Sequence, residues 1–267
     1  MSSETRQRIK LTLHYDGSGF HGWQVQPGVR TVQAEVEAVL SRLADRPVRV
    51  TAAGRTDAGV HATGQVVGVE MPAKWTARAL RKSLNALLPE DVWAADAESV
   101  PPTFHARYDA VARGYRYRVG TGDGSWSPFR RRWCWPMKDP LDASALSETA
   151  AALPGEHSFE AFAKAGQPER GYRCTVHGAG WVEGPGYLEF RVIANRFLHH
   201  MVRYLVGTMV EAARGRRPAG DLRRMLLEEE RGDLETSPPA PPGGLFLSRV
   251  YYTTEDLETG LDDEDLS

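Results

Sequence analysis

Thr51-Ala52-Ala53-Gly54-Arg55-Thr56-Asp57-Ala58-Gly59-Val60-His61-Ala62-Thr63-Gly64-Gln65-Val66-Val67 is the stretch on which the reading of this chain turns. Val48 and Val50 precede it, and Val69 continues the apolar run that Val66 and Val67 begin. Apolar runs on both sides of a glycine-rich centre predict two strands joined by a tight loop. Glycine supplies backbone conformations or close approaches that a β-carbon would block. Such a loop lifts Arg55 and Asp57 onto a surface while the strands hold them still, a usual way to mount reactive groups. Taken alone, the residues also fit a surface turn in which Asp57 caps a local N–H and Arg55 is solvated.

Outward from this hairpin, residues 9–15 alternate cleanly and predict a first strand, ended by Asp16-Gly17-Ser18-Gly19. Thr31 opens a helix over residues 32–43, with Val36, Val39, Leu40 and Leu43 at helical spacing. A second helix over 77–88 follows Thr76 and stops at Pro89, and 92–97 reads as a short strand before Val100-Pro101-Pro102. The second half repeats the rhythm. It has a strand over 110–120, a helix over 144–153, and strands within 173–193 turning at Glu183-Gly184-Pro185-Gly186. Helices over 199–214 and 219–230, a stiff Pro-rich connector over 237–244 and a last strand over 246–252 complete it. No residue-level repeat is visible, but strand–helix–strand pairs recur. The class is therefore α+β in two halves, residues 1–107 and 108–253, each a mostly antiparallel sheet backed by helices. Residues 254–267 read as an acidic, disordered tail.

At 267 residues the chain can bury a substantial core. No apolar run approaches the roughly 18 residues of a membrane span, and no signal-peptide pattern opens the chain. Cys134 and Cys174 lie in unrelated contexts and offer neither a metal knuckle nor a disulfide framework, which suits a reducing cytoplasm. The net charge of −2 conceals an asymmetry: residues 254–267 hold acids and no base, so the remaining body is basic. Between residues 104 and 132 stand Arg107, Arg113, Arg116, Arg118, Arg130, Arg131 and Arg132, interleaved with aromatics and opposed by Asp109 and Asp123. Arginine pairs with phosphate and aromatic faces stack on bases, so this stretch fits an RNA surface as well as it fits a solvated strand face.

Gly54-Arg55-Thr56-Asp57-Ala58-Gly59-Val60-His61-Ala62 resembles the active-site motif of the tRNA pseudouridine synthase A family. Tyr15-Asp16-Gly17-Ser18, Gly22-Trp23-Gln24 and Thr31-Val32-Gln33 resemble its amino-terminal signature. Phe104-His105-Ala106-Arg107 with Tyr115-Arg116-Tyr117 resembles the central one. Asn195 through Arg203 and Gly244-Leu245-Phe246-Leu247 resemble the later ones. In order and spacing these cover nearly the whole chain. One departure is Gly114, which precedes Tyr115 where a larger basic residue is common.

The resemblance implies the pseudouridine synthase fold: two similar domains with their sheets joined and a basic cleft where they meet. It implies a cytoplasmic homodimer acting on uridines at about positions 38 to 40 of the tRNA anticodon stem-loop, with no metal and no cofactor. Asp57 matches the catalytic aspartate, and Arg55 the arginine that fills the place of the flipped base. Tyr115 matches the tyrosine that stacks on the flipped uracil, and Arg203 the arginine that pairs with the catalytic carboxylate. Leu245 resembles the apolar wall beneath the base. Arg107, Arg116, Arg130, Arg131 and Arg132 are the expected phosphate contacts.

Three rival readings exist. Asp57-Ala58-Gly59 faintly resembles an aspartic-protease turn, but that dyad needs a second such turn, which only a symmetric dimer would supply. His199 and His200 with His61 suggest a metal site, but adjacent residues on a helix point about 100° apart and rarely ligate one ion. A non-catalytic RNA-binding module explains the arginines and aromatics, but not an acid placed among phosphate-binding groups.

Overall fold

The computed structural model describes residues 5–164, 171–227, 232–264 and 266. The chain forms two compact units, Met1–Val111 with Phe246–Tyr252, and Ala112–Leu245 with Thr253–Ser267. No helix among the described residues is long and apolar enough to cross a membrane.

In the first unit, β1 (Arg6–Tyr15) buries Ile9, Leu11, Leu13 and Tyr15 at alternate positions, because a pleated strand sends every second side chain to one face. Helix α1 (Val32–Ala44) turns Val32, Val36 and Leu40 into the core. Strands β2 (Val50–Ala52) and β3 (His61–Pro72) are the two predicted strands and pair antiparallel, with Val50 opposite Val69 and Ala52 opposite Val67, but an eight-residue connection joins them rather than a tight loop. Helix α2 (Ala77–Asn85) starts at Thr76, whose hydroxyl accepts the Ala79 N–H at 3.2 Å. β4 (Val92–Val100) and β3 flank β1 on its two sides, both antiparallel.

A strand from the far end of the chain, Leu245–Tyr251, joins β3 in parallel, with Phe246 opposite His61 and Leu247 opposite Ala62. The sequence reading put this strand with the second half; from Phe246 to Tyr252 it belongs to the first unit. Gly64 permits the approach, since a β-carbon there would stand 2.1 Å from the Ser248 carbonyl oxygen.

The second unit begins with β5 (Ala112–Thr121), followed by β6 (Trp135–Met137), α3 (Ala143–Ala151), β7 (Gly155–Ser158), β8 (Arg173–Gly184) and β9 (Tyr187–Ala194). Its antiparallel strands run β5-β9-β8-β7, and β6 lies parallel to β5. The turn between β8 and β9 falls where predicted, with Gly186 at φ 82°. Helices α4 (Met201–Ala213) and α5 (Gly220–Leu226) follow, then the strand Leu245–Tyr251, β10 in chain order. The predicted helix over 219–230 ends early, and its residues 228–230 lie outside the described residues.

The acidic end corrects the sequence reading. Instead of disorder it forms α6 (Thr254–Asp263), capped by the Thr253 hydroxyl accepting the Asp256 N–H at 3.0 Å. Glu255 and Asp256 occupy its first turn, where the helix dipole favours negative charge. Leu257 is buried, Leu261 meets Gly178 of β8, and Glu264 reaches Arg116 and Arg191. Composition alone cannot reveal this, because the neutralising arginines lie on strands distant in sequence.

Glu189 of β9 is buried among the same arginines, accepting from Arg118 Nε at 2.8 Å and Arg191 Nε at 3.0 Å. Burial alone would raise its carboxyl, but the Arg118 and Arg191 hydrogen bonds outweigh burial and hold it below its ordinary value of 4.5. A depressed folded value stabilises the fold above the unfolded value, and that share is lost as pH falls through the folded one. Glu189→Gln is therefore expected to lower the urea midpoint at pH 7 and to flatten its decline below about pH 4.5. Parallel midpoint–pH curves for the two proteins would contradict this.

Candidate active site

Asp57 sits half-buried on the eight-residue connection between β2 and β3, which is fixed from several sides within the first unit. Trp23 N–H donates to Thr56 O at 3.0 Å, and Gly59 N–H to Phe20 O at 3.2 Å. The Tyr15 hydroxyl and Thr56 Oγ1 bond at 2.8 Å, and Gln65 Nε2 donates to Gly54 O at 2.9 Å. Burial pushes the Tyr15 hydroxyl up to about 12, against smaller lowering by Thr56 and Gln65, so it stays a neutral partner. Gly17 N–H donates to His61 Nδ1 at 3.0 Å, and the buried His61 ring stacks on Phe246 with centroids 4.8 Å apart.

Two glycines allow this crowding. A β-carbon at Gly17 would lie 2.0 Å from Val60 O. At Gly22, with φ 89°, it would lie 2.8 Å from Thr56 O. The amino-terminal signature and the Asp57 motif, some thirty residues apart in sequence, thus make one structure.

Arg55 is exposed on the same connection. The sequence reading missed Glu37 of α1. Buried there, it accepts the Val50 N–H at 3.0 Å and meets Arg49 Nη1 at 2.6 Å, pinning the start of β2. Its signal is an acid that shares the buried face of the helix with Val36 and Leu40.

Tyr115, Arg203 and Leu245 belong to the second unit. Tyr115, half-buried on β5, meets Phe197 edge-on with centroids 4.8 Å apart. Arg203 Nε donates to Ala240 O at 2.7 Å, and its Nη1 lies 3.3 Å from His200 Nε2. Ala240 N–H returns a bond to Arg203 O at 2.9 Å, and the Tyr117 hydroxyl donates to Pro241 O at 2.7 Å. Burial raises the Tyr117 hydroxyl well above its ordinary range, partly offset by Arg203, so it remains a donor. The Pro-rich segment is therefore clasped by α4 and β5, and Gly244 packs on Tyr117, which fixes buried Leu245 after it.

His199 and His200 precede α4 rather than lie on it, and His200 takes a left-handed φ of 64°. The argument from 100° helical spacing therefore does not apply to them. Arg107, Arg130, Arg131 and Arg132 are exposed, whereas Arg116 is already engaged with Glu264. Burial raises both thiols, Cys174 to about 11, so neither is a poised nucleophile.

A family model described as tRNA pseudouridine synthase matches residues 12–109 and 149–253, spanning the Asp57 motif and stopping just before α6. A tRNA pseudouridine synthase A of Moorella thermoacetica is 42% identical over 246 residues, covering 91% of this chain and 99% of its own length. One of Geobacillus kaustophilus is 41% identical over 259 residues, covering 96% and 99%. One of Myxococcus xanthus is 42% identical over 247 residues, covering 92% of each chain. With the motif residues built into one braced loop and this extent of similarity, the chain belongs to the tRNA pseudouridine synthase family, a family of isomerases.

Proposed function

We propose that this protein isomerises uridine to pseudouridine in the anticodon stem-loop of tRNA, at about positions 38 to 40, with Asp57 as the catalytic carboxylate. The observation that carries this reading is a half-buried carboxylate on a loop braced from Trp23, Phe20, Tyr15 and Gln65. Preorganisation of this kind is what a reacting group needs.

The reaction breaks the C1′–N1 bond, turns the base and forms a C1′–C5 bond. C5 gives up its proton and N1 gains one, so nothing is oxidised and no water is consumed. Positive charge develops at the sugar carbon as the first bond breaks. Asp57 stabilises that charge, captures the carbon covalently or removes a neighbouring proton. One carboxylate suffices where a glycoside hydrolase needs two, since no water must be activated.

The target uridine leaves its stack before Asp57 reaches the sugar. Arg55, planar and exposed beside Asp57, takes its place, a role for which lysine is a poor substitute. The resemblance supports the remaining roles: Tyr115 stacks on the detached uracil, Arg203 partners the carboxylate and Leu245 walls the base. It likewise supports a homodimer working in the cytoplasm.

Transfer to C5 gives the test. Purified protein in EDTA should release tritium from a tRNA transcript labelled at uridine C5. No release, or release only after a metal is added, would contradict the proposal.

A further inference from the structure

Between β5 and β6 the chain makes a loop, residues 122–134, that is closed on itself by backbone bonds. Ser125 N–H and Oγ both bond Gly122 O, at 3.2 and 2.8 Å. Arg130 and Arg131 N–H both donate to Ser127 O, at 2.9 and 2.8 Å, and Trp133 N–H donates to Arg130 O at 2.9 Å. Ser125 and Cys134 are buried against Gly120, where a β-carbon would stand 2.5 Å from Ser125 Cβ. The loop is thus a built platform rather than a loose tether.

What it presents is unusual for a surface. Phe129 is 83% exposed, Trp126 45% and Trp133 38%. A lone exposed apolar side chain is ordinary, but three exposed aromatics within residues 126–133 of one loop form the kind of surface that marks a binding site. The surroundings are cationic: Arg130, Arg131 and Arg132 are exposed, and Lys138 Nζ lies 5.4 Å from the Trp126 ring centre. Asp123 is the one acid in the loop.

We propose that Phe129 is a stacking platform for an unpaired base of the RNA substrate, with Arg130, Arg131 and Arg132 holding the neighbouring phosphates. The inference rests on the reading that this protein acts on tRNA, and extends it by naming a residue that engages a base other than by chemistry. Charge selects the occupant. A base with flanking phosphates answers both the exposed ring and the arginines beside it. A second copy of this chain, placed across a two-fold axis at this patch, would set arginines against arginines.

Filter binding of an unmodified full-length tRNA transcript tests it, using wild type, Phe129→Ala, Phe129→Leu and Phe129→Trp. The exposed position leaves folding undisturbed. Removing one stacked base is expected to weaken affinity roughly 5- to 150-fold for both Ala and Leu, with Trp close to wild type. The slope of log Kd against log salt should be unchanged in Phe129→Ala and shallower by nearly one in Arg131→Gln. Affinity within about twofold of wild type in Phe129→Ala, or full retention in Phe129→Leu, would overturn the proposal. So would light scattering showing that Phe129→Ala splits a dimer, which would make the patch a subunit interface. The two readings fail separately. Tritium release with an indifferent Phe129 removes only the platform, and Phe129-dependent tRNA binding without any release removes only the activity.

Discussion

Asp57→Ala is expected to abolish pseudouridine formation, by at least about 10³-fold, because no other group of the loop can stabilise or capture the sugar carbon. The flanking residues are Arg55, Thr56, Ala58 and Gly59, none of which carries an anion. Affinity for tRNA should hold or rise, since the change removes a negative charge near phosphates. The loop should also survive, because the backbone groups of Gly54, Thr56 and Gly59 and the Thr56 hydroxyl that hold it are left in place. Asp57→Asn, which keeps the shape, should be as inactive as alanine. Residual activity within tenfold of wild type would remove Asp57 from the chemistry. A non-catalytic RNA-binding protein would instead bind tRNA equally with and without Asp57 and turn over in neither form.

The second large effect is expected far from Asp57 in sequence. Gly17→Ala puts a β-carbon where Val60 O stands, at 2.0 Å, and neither partner is a flexible side-chain end. Relief to ordinary contact requires a backbone shift above 1 Å at one end of the Asp57 connection. A misplacement of that size costs on the order of 10²-fold in catalysis when the reacting group must be aligned. The expected result is a kcat/KM lowered about 10²-fold, with a melting temperature depressed by a few degrees. Gly220→Ala is the control, since a β-carbon there meets nothing within 4 Å. Wild-type kcat/KM and melting temperature in Gly17→Ala would show that the connection is not held through Val60.

How much of this was legible in the sequence depended on how local its cause was. The Asp57 hairpin was visible because valines on both sides and glycines between them are short-range signals, and β2 and β3 pair as that pattern implies. The Thr76 cap was visible for the same reason. The placement of Phe246–Tyr252 in the first unit was not, because pairing with His61 and Ala62 depends on a partner nearly two hundred residues away. Helix α6 was hidden by its own composition. Seven acids in fourteen residues read as solvated until Arg116 and Arg191 are seen to receive Glu264.

Within the candidate site, residue types were legible and their supports were not. Gly17 and Gly22 belonged to a recognised signature, but nothing in the sequence says that they brace Val60 and Thr56. Glu37 looked like one more helix acid, although it holds the N–H of Val50. The left-handed His200 reads from sequence as the first turn of a helix, because α4 supplies the apolar spacing that follows it. Motifs announce the chemistry, and long-range contacts decide whether it is held in place.

Site-resolved mapping of pseudouridine on an unmodified tRNA transcript tests the central claim most directly. After incubation with wild-type protein in EDTA, pseudouridine should stand at one or more uridines of about positions 38 to 40 and nowhere else, and the Asp57→Ala protein should leave the transcript unchanged. Pseudouridine confined to another part of the tRNA, or its absence with wild type, would contradict the account.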